Sequence, residues 1–138
     1  MVGGRGDRRE GARLGPLQRD IMEALWDGGR MTVRHIEQQL NASRTPRLAY
    51  TTIQTVVLRL VRLGLAARHP DHGADLFSPT VERGAFLESQ ARLEVERWLE
   101  SYGDIGIGTF FGAIAQDERR LALVERLVVE ARSRLRPQ

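Results

Sequence analysis

Residues 48–64 read LAYTTIQTVVLRLVRLG. At about 100° per residue, Ile53, Val56, Val57 and Leu60 fall on one face of a helix. Thr51, Thr55, Arg59 and Arg62 fall on the opposite side, with Thr52 and Gln54 on its flanks. Idle exposed helix faces favour Glu, Lys and Gln, which are good helix formers. This face instead carries short hydroxyls near its N-terminal end, arginines further on, and no acid. That set suits double-stranded DNA. Threonine can contact phosphate, base edges or a thymine methyl, and Gln can pair with adenine. The free N–H groups of a helix N-terminus favour a phosphate, and Arg59 and Arg62 suit the flanking phosphates. Leu58 is out of place in the polar arc. It packs either on a thymine methyl or on another part of the protein. The plainer alternative is a solvated amphipathic helix on which Thr is incidental.

The flanks supply a scaffold for such a helix. Pro16 can sit in a first helical turn, where its missing N–H costs nothing. In LQRDIMEALWDGG after it, Leu17, Ile21, Met22, Leu25 and Trp26 share one side, which predicts a helix over 16–27 ended by Gly28-Gly29. Arg30-Met31 is a short extended link. Thr32 can cap a second helix over 33–41, with Val33, Ile36 and Leu40 inward. Asn41, Ser43, Thr45 and Pro46 mark a break. After Gly64 the period changes, and LAARH, PDHGAD and LFSPT predict a β-hairpin. Helix, short strand, helix, helix, strand, turn, strand is the plan of a winged helix-turn-helix. Two helices brace a third so that it can enter a major groove, and the hairpin reaches the backbone beside it.

From Val81 the pattern is helical again. Phe86, Leu87, Leu93, Trp98, Leu99 and Tyr102 punctuate a long helix expected over 81–102. YGDIGIG is expected to break the chain as a hinge, TFFGAIA to form a short helix, and Asp117 to start the last one. There Leu121, Val124, Val128, Ala131 and Leu135 recur at spacings of 3, 4, 3 and 4 residues. That is the spacing of a coiled-coil seam, or of a plain buried amphipathic helix. A composition shift near residue 80 divides the chain into 14–80 and 81–138, preceded by a Gly- and Arg-rich arm, 1–13, expected to be disordered. The expected fold class is mainly α with a small β-hairpin.

Charge and composition narrow the function classes. The net charge is only +3, but no acid lies between Glu37 and Asp71, where Arg44, Arg47, Arg59, Arg62 and Arg68 stand. From Val81 onward nine Arg face ten acids. A basic stretch of this kind is the electrostatic footprint of a polyanion binder. There is no Cys, which removes disulfides, thiol catalysis and thiolate metal sites. No apolar run approaches the roughly 20 residues of a membrane span, and no apolar stretch follows the N-terminal charges as in a secretory signal. A cytoplasmic protein without membrane contact is expected. His69 and His72 form H-x-x-H, but with a Pro and an Asp in a turn, so a wing contact is expected there and no metal. No nucleophile–base pair stands out, and neither enzymatic activity nor a cofactor is expected.

PLQRDIMEALW, MTVRHIEQQLN, LAYTTIQTVVLRLVRLGL and RHPDHGADLFSP together resemble the penicillinase repressor (BlaI/MecI-type) family. The resemblance covers about residues 14–80 well, most specifically at 49–65, and is weaker from 81 to 138. It implies a bacterial transcriptional repressor, a homodimer with an N-terminal winged-helix domain and a C-terminal helical dimerisation domain, sitting on a palindromic operator. Carried onto this sequence, the recognition-helix positions are Thr51, Thr52, Gln54, Thr55 and Arg59. The wing is 68–76, with Arg68 as its phosphate contact. Arg62 joins this DNA-binding set, and the dimerisation set is Trp98, Leu99, Tyr102, Leu121, Val124, Val128 and Leu135. Two departures bear on induction. One branch of the family is cut at an Asn-Phe bond by a sensor protease, and the comparable region here reads GTFFGAIA. A sensor or protease input is therefore left open. The copper-responsive branch uses a Cys-rich tail, which this chain lacks. The rival reading is a winged-helix protein–protein adaptor without DNA binding.

Overall fold

A computed structural model of the chain describes residues 13–137. The arm expected over 1–13 lies, Arg13 apart, outside the described residues. By backbone contacts the chain divides into two compact units, one running to Leu93 and the other from Glu94.

The first unit holds α1 (Pro16–Gly28), α2 (Val33–Asn41), α3 (Tyr50–Arg62), β1 (Ala66–His69) and β2 (Leu76–Pro79). Pro16 occupies the first turn of α1, as its fixed φ allows. Thr32 caps α2 by accepting from the His35 N–H at 3.1 Å. The two strands pair antiparallel, with Arg68 opposite Phe77 and His69 opposite Leu76. Met31 adds a third, one-residue rung. Its N–H donates to the Phe77 carbonyl at 2.9 Å and its carbonyl accepts from the Phe77 N–H at 2.8 Å. This is a winged helix-turn-helix.

The core collects the face of each helix that the 3.6-residue period picks out. Ile21, Met22 and Leu25 of α1, Ile36 of α2 and Ile53, Val57 and Leu60 of α3 have no solvent exposure. Leu65, Ala66 and Phe77 carry the core into the hairpin. One buried polar residue fixes the turn between α2 and α3. Asn41 donates from Nδ2 to the Leu48 carbonyl at 3.0 Å and accepts the Leu48 N–H on Oδ1 at 2.8 Å. The sequence marks Asn41 only as a break. In the structure it closes the loop that sets where α3 begins.

The compact unit reaches past the composition shift at residue 80. The Trp26 indole N–H donates to the Val81 carbonyl at 2.8 Å, and its ring meets the buried Phe86 at 5.6 Å between centroids. Arg83 donates to both oxygens of Glu23, at 2.9 and 3.1 Å. The hydrogen bond and the Glu23 charge push the Arg83 pKa up from its already high ordinary value.

Over 81–116 the structure keeps the expected helix to about residue 102 and the break after it, but narrows the break. The stretch α4 (Arg83–Ile114) is two helical segments that meet at a kink, and the second starts earlier than the expected short helix over TFFGAIA. The break is a single residue, Gly103, with φ 54° and ψ −135°. That conformation is accessible essentially to Gly alone. Helix resumes at once, although each interior Gly costs about 1 kcal/mol relative to Ala. Packing explains the tolerance at Gly106. A Cβ there would sit 3.0 Å from the Tyr102 Cβ and 3.2 Å from two carbons of the Trp98 ring. Gly106 is thus the gap into which Trp98 fits.

Asp117 caps the last helix, α5 (Glu118–Leu135), by accepting from the Arg119 and Arg120 N–H groups. The second unit buries little of itself. Leu121 and Val124 are half-buried, while Leu99, Tyr102, Ile107, Phe110, Leu127, Val128 and Leu135 are exposed. No helix among the described residues is long and apolar enough to cross a membrane.

Candidate nucleic-acid interface

The buried stripe of α3 turns its other side outward. Thr51, Thr52, Gln54, Thr55, Arg59 and Arg62 are all exposed, while Ile53, Val57 and Leu60 anchor the helix beneath them. The helix starts from Ala49, which offers no side-chain cap, and Arg59 and Arg62 lie in its last turn. There their charge complements the negative end of the helix dipole. No acid lies on the helix.

Hydrogen bonding restricts what one threonine can do. The Thr55 hydroxyl donates to the Thr51 carbonyl at 2.9 Å, the usual i−4 back-bond of a helical threonine. While that bond stands, Thr55 has only lone pairs and a methyl to offer. It can accept from an adenine or cytosine amino group or pack on a thymine methyl, but it cannot donate to phosphate. Among the described residues no such bond engages the hydroxyls of Thr51 and Thr52, which can donate or accept.

The five arginines of the acid-free window do not behave alike. Arg44 pairs with Asp20 of α1 at 2.7 Å. Arg68 of the wing binds Asp75 across the hairpin through both Nε and Nη2. Arg47, Arg59 and Arg62 have no carboxylate partner among the described residues. A window free of acid in sequence is therefore not free of acid in space, because Asp20 and Asp75 come in from outside it. The wing contact expected of Arg68 starts from a guanidinium already engaged by a carboxylate.

Leu58 is settled by its packing. It is half-buried against the core cluster and lines a cleft of about 440 Å³ between α2, α3 and the wing. Thr32, Arg34, Tyr50, Gln54, Arg68 and Asp75 line the same cleft. Leu58 thus contributes to its apolar lining, with Val33 and Phe77. His69 spends one ring nitrogen on the Ser78 hydroxyl at 2.7 Å, and His72 is exposed at the wing tip. Among the described residues no three His, Cys, Asp or Glu side chains gather as metal ligands would. Two polar features of this surface have no sequence signal of their own. Asn41 and the Arg34–Tyr50 pair become visible only when α2 and α3 are packed.

The dimerisation set divides in the same way. Trp98 and Leu99 line an apolar pocket of about 400 Å³ with Val95, Ile107 and Phe110. Tyr102 meets Trp98 edge-on, with centroids 6.0 Å apart. Leu121, Val124, Val128 and Leu135 lie on α5. Ile107 and Phe110 lie beyond Gly103, where the sequence suggested a broken chain, so the apolar surface is wider than the expected set.

Residues 14–119 match the family described as penicillinase repressor. A "Transcriptional regulator BlaI" of Mycobacterium tuberculosis is 40% identical over 88 residues. The matched stretch covers 59% of this chain and 62% of that protein's length. Among solved structures, the RosR-S4 complex of H. salinarum superposes with a TM-score of 0.52 at 17% identity, covering 94% of this chain and 98% of that one. The DNA-binding domain of the repressor BlaI matches at a TM-score of 0.46 and 20% identity, over 51% of this chain and 84% of that one.

Proposed function

The chain belongs to the penicillinase repressor family, and on that premise we propose that it is a transcriptional repressor that binds a palindromic operator as a homodimer. The observation that carries the reading is the outward face of α3. A core-anchored helix presents Thr51, Thr52, Gln54, Thr55, Arg59 and Arg62, with no acid among them. In this reading α3 lies in the major groove, Thr52, Gln54 and Thr55 read base edges, and Arg59 and Arg62 hold flanking phosphates. Arg68 reaches a backbone phosphate from the wing by exchanging or sharing its Asp75 partner. The winged-helix domain carries DNA binding and the C-terminal helices carry dimerisation.

The second unit supports the homodimer on physical grounds. Among the described residues from Glu94 onward, Ile114 is the one buried large apolar side chain. A short helical segment without a core of its own is stabilised by covering its apolar face, and a second copy does so symmetrically. A two-fold dimer reads two half-sites on one face of DNA, so the operator is an inverted repeat. Relatives named as transcriptional regulators support a regulator over an enzyme.

Two substitutions test the face by gel shift on a selected operator and on random duplex. Thr52→Ala is expected to bring operator and random affinities together, with stability changed by no more than about 0.5 kcal/mol. Arg62→Ala is expected to weaken both duplexes by the same factor. Parent-like binding by both variants would mean that the wrong face has been assigned to the groove. A protein–protein adaptor is separated by titrating salt on random duplex. A repressor loses affinity steeply as salt rises, whereas an adaptor shows negligible binding even at low salt.

A further inference from the structure

We propose that Arg34 is a phosphate-contacting residue at the edge of the α3 groove face, and that Tyr50 is the residue that positions it. The inference rests on the DNA reading above and adds to it a side chain from the helix before α3. The Arg34 guanidinium carbon lies 5.6 Å from the centroid of the Tyr50 ring. Both side chains are exposed, Tyr50 at 37%, and Arg34 has no carboxylate partner among the described residues. Both line the cleft that Gln54, Leu58 and Arg68 also line.

The kind of contact matters. Arg44 and Arg68 are held by carboxylates, which take part of their N–H donor set. Tyr50 attracts Arg34 through the negative face of its ring, a contact that spends no N–H donor on a carboxylate. Without a carboxylate partner among the described residues, the guanidinium keeps its donors for a phosphate, which it can take in a bidentate fashion, while the ring biases where it sits. Holding the side chain in advance also reduces the rotamer freedom lost on binding. Placement agrees. Arg34 is in the first turn of α2, and Tyr50 is the first residue of α3. In helix-turn-helix docking the helix before the recognition helix crosses the sugar–phosphate backbone.

The test is fluorescence anisotropy of the full chain on a labelled random-sequence duplex, across a salt series. The parent protein gives the reference slope of log affinity against log salt. Arg34→Ala is expected to lower the magnitude of that slope by about one and to weaken binding roughly tenfold at 0.1 M salt. Arg34→Lys keeps the charge and is expected to restore the slope. Tyr50→Phe keeps the ring and is expected to bind like the parent. Tyr50→Leu is expected to weaken binding while leaving the slope nearly unchanged, which loss of a structural contact alone would not single out. Thermal midpoints of all four variants confirm folding. If the parent binds and Arg34→Ala keeps both its slope and its affinity, the phosphate contact is overturned. If Tyr50→Leu matches the parent, the positioning role is overturned. A parent that fails to bind duplex at low salt overturns the whole DNA reading, an outcome distinct from either.

Discussion

Replacing both Leu99 and Val128 with aspartate should halve the mass measured by sedimentation equilibrium, from twice the 15.6 kDa chain mass to one. It should also weaken operator binding about 10²- to 10⁴-fold. Both residues are exposed on the isolated chain, at 40% and 46%. Aspartate at either site therefore costs the monomer little. In a dimer the same carboxylates would have to be buried without partners, which is far more costly than losing a methyl contact. Affinity falls because the second half-site is no longer held at high effective concentration. Circular dichroism should be nearly unchanged, which separates dissociation from unfolding. A parent protein that sediments as a monomer, or a double variant that remains a dimer, would show that this face is covered by something else.

Leu60→Ala should destabilise the winged unit by about 2–5 kcal/mol in a denaturant titration. That is a large part of the roughly 5–15 kcal/mol by which a domain of this kind is stable. Leu60 has no solvent exposure and lies at the centre of the α3 stripe that meets α1 and α2. The contrast with Thr52 on the same helix is the informative part. Removing its hydroxyl and β-branch leaves no cavity and improves helix propensity slightly. Stability should therefore track one face of α3 and DNA specificity the other. A Leu60→Ala midpoint close to that of the parent would contradict the division.

Much of the first unit was legible in the sequence because its signals are local. The stripe of Ile53, Val57 and Leu60, the Thr32 cap and the PDHGAD turn each depend on neighbours within a few residues. Features that depend on distant residues were not legible. Arg44 meets Asp20 twenty-four positions away, and Asn41 acts by closing a loop rather than by its propensity. Leu58 is anomalous on a helical projection because the projection does not show the core it packs against or the cleft it lines. At YGDIGIG the expected break is present but narrower than the sequence suggests. Its glycines lower helix propensity in any single-residue account, yet only Gly103 leaves the helical region. Gly106 stays helical because its missing side chain is what the Trp98 ring needs. The outer threonines are the converse case. They oppose helix propensity and lie exposed, and it is on that ground that the groove contacts are proposed for them.

The central proposal, a two-fold dimer reading DNA through α3, is tested most directly by binding-site selection from a random duplex library with the purified full chain. The predicted result is enrichment of one inverted repeat whose half-site centres lie about one helical turn, or a multiple of it, apart on one DNA face. The enrichment should vanish for Thr52→Ala while non-specific binding persists. A pool that emerges without any enriched sequence, or with a single unrepeated half-site bound by a monomer, would contradict it.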